Sequence, residues 1–221
     1  MNIEDYILYE DKEIIGCQKP AGMAVQTARM GQMDMESALK NYLAQRTGDG
    51  RAPYLGIIHR LDQPVAGVLV FAKTPQAAKE LSRQITDHTM EKYYHAVICG
   101  HAPQKEGTLV DYLLKDGRTN TSKVVPKGTK GAKEAVLHYR VCEERDAQGR
   151  EILEIHLITG RHHQIRVQLS HAGIPLVGDY KYNPVQTAEG PRESMGLEAF
   201  RLEFTHPKTK KRICLTPKSA L

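Results

Sequence analysis

The run Gly67-Val68-Leu69-Val70-Phe71-Ala72 constrains the fold most: six residues without a polar side chain, too few for a helix, fit a strand buried on both faces or nearly so. Thr74 follows as an N-cap and Pro75 as the first helical residue, and Ala77, Leu81 and Ile85 recur at helical spacing, which predicts a helix over about 75–87. Tyr93 to Cys99 reads as a strand ended by Gly100, and Glu134 to Cys142 as another. Past the turn at Asp146-Ala147-Gln148-Gly149, Leu153, Ile155 and Leu157 alternate with Glu154 and His156, so residues 134–158 form an antiparallel hairpin. A helix beginning near His162 carries Ile165, Leu169 and Ala172 on one stripe and stops at Gly173. Strands outnumber helices without regular β-α alternation, so the predicted class is α+β with a mixed, mostly antiparallel sheet and flanking helices. The polar stretches at about 45–53, 115–131 and 183–196 read as loops, and with no linker or repeat the 221 residues are expected to form a single domain, 1–221.

Charge narrows the partners. Lys and Arg number 31 against 26 Asp and Glu, a formal +5 that leans mildly towards polyanions. Residues 1–10 show neither a basic head nor an apolar run, and no segment approaches the roughly 20 apolar residues that span a bilayer, so the expected location is cytoplasmic with no membrane partner. Cys17, Cys99, Cys142 and Cys214 stand far apart without a C-x-x-C pair and are expected to be reduced thiols in the core.

Three segments concentrate polar chemistry. Asp62, beside Arg60 and Leu61 at the edge of the buried run, can be presented to a cleft by a rigid element; a turn aspartate capping local amides fits the same segment. Gln63-Pro64 keeps the strand from starting at the acid. Thr159-Gly160-Arg161-His162-His163-Gln164-Ile165-Arg166 crowds two arginines into a strand-to-helix junction, suited to a carboxylate or phosphate, though a solvated basic helix start gives the same pattern. His162 and His163 point in different directions if both lie on a helix, and no third ligand has metal-binding spacing, so no metal is expected. Lys92-Tyr93-Tyr94-His95-Ala96 sets two tyrosines on opposite faces of a strand, one for the core and one for stacking on a base or relaying a proton; packing alone also accounts for both. The late run Lys208, Lys210, Lys211 and Arg212 reads as a solvated hairpin turn that can touch phosphate.

Taken together these segments resemble the RluA family of RNA pseudouridine synthases over most of the chain. Gln18-Lys19-Pro20-Ala21-Gly22-Met23 is similar to the family's N-K-P-x-G-hydrophobic motif, and His59-Arg60-Leu61-Asp62 with Gly67 to Lys73 to its H-R-L-D signature. Lys92-x-Tyr94-x-Ala96, Thr159-Gly160-Arg161-x-His163-Gln164-Ile165-Arg166, Ile174 to Asp179 with Tyr182, and Phe204-x-His206-Pro207 follow in family order. Gln18 replaces the usual Asn, and Gln63-Pro64-Val65-Ala66 replaces a commoner polar-Thr-Ser series, which bears on substrate choice. The motifs begin almost at residue 1, so the S4-type RNA-binding domain found in many members is expected to be absent.

The resemblance implies the pseudouridine synthase catalytic fold with a central RNA-binding cleft, and conversion of uridine to pseudouridine in ribosomal or transfer RNA without cofactor or metal, by a chain taken as a monomer. It makes Asp62 the essential carboxylate, acting either as nucleophile at the anomeric carbon or as base at C2′. Arg161 would pair with and orient it, and Tyr94 would stack beneath the uracil. The target must leave the helical stack, with Arg60 filling the gap. Ile165 would wall the uracil pocket, while Arg166, Lys73 and Lys92 would hold backbone phosphates. A catalytically silent RNA binder and a metal-dependent nuclease are the competing readings; the chain lacks an H-E-x-x-H cluster.

Overall fold

The computed structural model describes residues 2–27, 31–47, 52–184 and 193–218. In chain order the elements are β1 (Ile7–Glu10), β2 (Ile14–Lys19), α1 (Met35–Thr47), β3 (Gly56–Ile57), β4 (Ala66–Ala72), α2 (Pro75–Thr86), β5 (Glu91–Val97), β6 (Glu106–Asp116), β7 (Thr121–Val125), β8 (Lys133–Arg145), β9 (Glu151–Leu157), α3 (Gln164–His171), β10 (Leu197–Thr205) and β11 (Arg212–Leu215). All strand pairs whose register is described are antiparallel, so the fold is α+β as expected. The chain forms two compact units, Met1–Glu91 with Ala199–Leu221, and Lys92–Glu198. None of the described helices is long and apolar enough to cross a membrane.

In the first unit the strands lie in the order β1-β2-β4-β10, with β11 against β10 and β3 against β4. The predicted central run is β4, buried from Gly67 onwards. Gly67 has φ +132°, and a Cβ there would sit 2.4 Å from the carbonyl oxygen of Ala199, so only glycine lets the two backbones approach. Helix α2 starts where its sequence predicts, Thr74 Oγ1 accepting the Ala77 amide at 3.1 Å. Its buried face holds Ala77 and Leu81, as the spacing predicts, together with Gln84. The Gln84 carboxamide donates to Thr205 O and accepts from Thr205 N, both at 2.8 Å, which ties the helix to β10.

One end of this unit is held by a polar clasp. Buried His206 meets Asp11 Oδ2 at 2.7 Å, and its Nδ1 accepts the Lys208 and Thr209 amides. The other Asp11 oxygen accepts the amides of Glu13 and Ile14. Phe204-x-His206-Pro207 is therefore a structural turn: Phe204 is fully buried and the histidine is used up by the backbone and Asp11.

In the second unit the order is β5-β9-β8-β6-β7. The predicted hairpin at 134–158 is β8–β9, with Leu153 and Ile155 fully buried and Leu157 nearly so. Helix α3 begins two residues later than its sequence suggests, because His163 takes a left-handed φ of +54°. It is buried all round from Gln164 to Leu169, while Ala172, assigned to its apolar stripe, is exposed past its end. Val167 packs with Leu113 and Ala135, and Tyr182 lies against that cluster.

The loop expected at 115–131 is corrected: β6 extends through Asp116 and Thr121–Val125 is the edge strand β7. The other two predicted loops fall partly outside the described residues, at 48–51 and 185–192. Of the thiols placed in the core only Cys17 is buried; Cys99 and Cys142 are half-buried and Cys214 is exposed, all four unbridged.

Candidate active site

Asp62 lies in the first unit, half-buried in the turn that precedes β4, where its carbonyl accepts the Val65 amide at 3.0 Å. The turn is fastened from below by Lys19, the last residue of β2, whose side chain is wholly buried. The Lys19 ammonium donates to three carbonyls, Pro20 at 3.0 Å, Met23 at 2.7 Å and Gln63 at 3.1 Å. Gln63 also exchanges hydrogen bonds with Gly22, so residues 20–23 and 62–63 are locked together. Burial pulls Lys19 down to about 8, against the opposing attraction of the Asp62 carboxylate. The sequence signal for Lys19 is a lysine just past the largely apolar run Ile14 to Cys17, directly before Pro20, although the sequence alone assigns it no role.

Arg60 is exposed, donates to Gln26 Oε1 at 3.1 Å and, with Gln26, Gln32 and Gln63, lines a hollow of about 260 Å³. Lys73 does not face solvent for phosphates. Its ammonium donates to Glu10 Oε1 at 2.7 Å and to Asp11 O at 2.6 Å and is only 19% exposed, because the acidic β1–β2 turn captures it.

In the second unit, Lys92, Tyr94 and Ala96 share the buried face of β5, while Tyr93 on the other face stacks on His156 with ring centres 4.6 Å apart. A Cβ on Gly160 would lie 3.5 Å from the Lys92 ammonium, so the T-G-R segment passes directly over it. Burial, and after it the charge of Arg161, lowers Lys92 to about 8. An anion brought to this pair, a carboxylate or a phosphate, would favour the charged form of the buried lysine. Lys92 is therefore not a surface phosphate contact as the sequence suggested; it is a buried charge beside Arg161.

Arg161 is held by its own Nε–H, which donates to Glu134 O at 2.7 Å, and by its amide, which donates to Gln164 Oε1 at 2.9 Å. Gln164 is saturated: Oε1 also accepts from Thr159 Oγ1 at 2.8 Å, and Nε2 donates to Val136 O and Gln168 Oε1. Ile165 is buried next to it. Arg166 corrects another expectation. It is buried and forms a two-bond fork with Asp179, both bonds 2.8 Å, so its guanidinium is consumed inside the unit and free for no phosphate. His162 and His163 do not diverge as helical neighbours would: the left-handed turn at His163 brings their rings face to face, 3.8 Å apart.

The basic run near the carboxyl end is also accounted for. Lys208 pairs with Glu13, Lys210 with Glu80, and Arg212 with Glu91 and Glu203. The segment from Leu114 to Lys133 differs. It holds six basic residues, Lys115, Arg118, Lys123, Lys127, Lys130 and Lys133, against the single acid Asp116. That net +5 equals the charge of the whole chain. All six are exposed, and none forms an ion pair among the described residues.

Residues 13–171 match the RNA pseudouridylate synthase family, a stretch that contains Asp62, Tyr94 and Arg161. The chain belongs to this family. It is 31% identical to tRNA pseudouridine synthase C of Vibrio cholerae, covering 92% of this chain and 86% of that protein. It is 37% identical to ribosomal large subunit pseudouridine synthase D of Nitrosomonas europaea, over 91% of this chain and 58% of the relative. With the uncharacterized RNA pseudouridine synthase YlyB of Bacillus subtilis it shares 34% identity, over 92% of this chain and 65% of that protein. The chain thus spans about two-thirds or less of the length of several relatives it matches. The fold is that of human RNA pseudouridylate synthase domain containing 4, with TM-score 0.77 at 23% identity over 98% of this chain and 89% of that one.

Proposed function

We propose that this chain isomerises a uridine in ribosomal or transfer RNA to pseudouridine, with Asp62 as the essential carboxylate. The observation that carries the proposal is the family match enclosing Asp62, together with the lysine-locked turn that fixes this acid and lies within reach of its charge. In the reaction the C1′–N1 bond breaks, the uracil turns and C5 bonds to C1′. C5 then loses its hydrogen and N1 gains one, so the change is redox-neutral and needs no cofactor. Asp62 serves either by adding to C1′ or by taking the C2′ proton. Tyr94 stacks on the uracil and assists loss of the C5 proton, Arg161 pairs with and orients the carboxylate, and Ile165 gives the uracil an apolar wall. Arg60 fills the gap left by the flipped base.

Backbone phosphates are met by the β6–β7 hairpin and its continuation to β8 instead of by Arg166, Lys73 and Lys92. Exposed cations without acid partners release counterions from RNA at no cost in broken ion pairs. The protein acts as a cytoplasmic monomer. Tritium release from C5-labelled ribosomal and transfer RNA transcripts tests the reaction. Wild type should release label and Asp62→Ala should release none; equal release by the two proteins would remove Asp62 from the chemistry.

A further inference from the structure

The basic hairpin is bolted at both roots to the segment that carries Arg161. On the β8 side, Val136 N donates to Thr159 Oγ1 at 2.8 Å, Gln164 Nε2 donates to Val136 O at 3.1 Å, Gln168 Nε2 to Ala135 O at 3.2 Å and Arg161 Nε to Glu134 O at 2.7 Å. On the β7 side the bonds come from side chains whose placement is not explained by the reaction. Tyr182 Oη accepts the Ser122 amide at 2.8 Å. This amide lies in the edge strand, and Ser122 is 5% exposed, so without the phenol a shielded donor would be orphaned. The Tyr182 hydroxyl also shares a hydrogen bond of 2.7 Å with His163 Nδ1. His162 spans the same strand: Nε2 donates to Asn120 Oδ1 at 3.1 Å, and Nδ1 accepts from Ser122 Oγ at 2.9 Å. Lys181 Nζ adds a bond to Asn120 O at 2.8 Å.

We infer that Tyr182, His162 and Lys181 form a latch that fixes the basic hairpin relative to Arg161, so that RNA gripped by the hairpin is delivered in one register to the catalytic segment. Tyr182 and His162 are positioning residues in this assignment, which rests on the proposed reading that the hairpin binds RNA. A loosened hairpin keeps all six charges but must be ordered on binding, so affinity falls while its salt dependence stays. Removing charges instead lowers the salt dependence itself.

Tyr182→Phe deletes the hydroxyl and keeps the ring, including its contact with the Arg166 guanidinium at 5.1 Å. On a C5-tritiated large-subunit ribosomal RNA transcript and a transfer RNA transcript pool, Tyr182→Phe and His162→Ala should each raise KM by about fivefold or more, with kcat falling less and the salt slope of RNA binding unchanged. A matched triple variant, Lys123→Gln with Lys127→Gln and Lys130→Gln, should flatten that slope by about 2 to 3. Wild-type KM in both latch variants overturns the latch. An unchanged slope in the triple variant overturns the RNA reading of the hairpin, whatever the latch variants do. Should Tyr182→Phe not fold, His162→Ala, on the half-buried flank, decides alone.

Discussion

The two most basic stretches of the chain look alike in sequence and are opposites in the structure. Lys208 to Arg212 is the denser run, yet three of its cations are tied to acids on neighbouring elements and serve to hold a turn in place. The hairpin segment 114–133 is more dilute, and its six cations are exposed with no ion pair among the described residues. What separates a structural cation from one left open to a partner is the acid the fold brings to it, which lies far away in sequence. Arg166 and Lys73 make the same point singly: each fits a phosphate-binding pattern, and each is claimed by a carboxylate, Asp179 or Glu10.

This contrast predicts that losing a paired cation costs stability and losing an unpaired one costs binding. The largest effect falls on Arg166→Ala, which leaves Asp179 buried without its partner and should destabilise the protein by about 3–5 kcal/mol in denaturant titration. Burial would raise the Asp179 carboxyl, but the bonds and charge of Arg166 outweigh it and hold the acid below its ordinary value. Its contribution is therefore full above pH 3.8 and is lost as pH falls through the depressed value, and the stability deficit of the variant should shrink there. Next in size, the hairpin triple variant should weaken RNA binding by about tenfold to a hundredfold at low salt, while Lys208→Gln with Lys210→Gln should leave it within about twofold and lower the thermal midpoint instead. A large loss of binding from the Lys208 and Lys210 changes would break the comparison.

The smallest effect concerns Glu198, an acid that no cation among the described residues claims. Glu198 is 3% exposed, one of its carboxylate oxygens is buried without a hydrogen bond, and burial raises its pKa. A raised acid favours the folded state only while protonated, so stability falls as pH rises from 4.5 through the folded value. Glu198→Gln should flatten that decline and gain about 1 kcal/mol at neutral pH. A variant with the same pH profile as wild type would show that Glu198 has a partner in solution.

The elements with a strong local pattern were legible: the apolar run of β4, the capped start of α2, and the alternation of β9. Helix α1 went unread although Asp34 caps it, accepting the Ser37 amide at 2.7 Å, and Met35, Ala38, Leu39, Tyr42 and Leu43 recur on one buried face. The β6–β7 hairpin was missed because most of its residues are only half-buried and its apolar residues fall side by side, Leu109-Val110 and Tyr112-Leu113-Leu114, without a clean period-two alternation. Within the candidate site, Asp62, Tyr94 and Arg161 stood out as motif residues, whereas Lys19, also in a motif, acts by gripping the carbonyls of Pro20, Met23 and Gln63, contacts that its own position in the sequence does not specify. Arg166 and Lys73 misled because their partners lie 13 and 63 residues away.

The first unit is interrupted in the chain. Its strand β4 lies against β10, but β10 is not made until the whole of Lys92–Glu198 has been synthesised. At ribosomal speeds of roughly 5–20 residues per second, the apolar face of β4 waits on the order of 5 to 20 s for its neighbour. The second unit, contiguous in sequence, has all its strands β5 to β9 in hand before then. The half of the protein that leaves the ribosome first is thus the half that finishes folding last, and β4 is the surface a nascent-chain chaperone would have to shield.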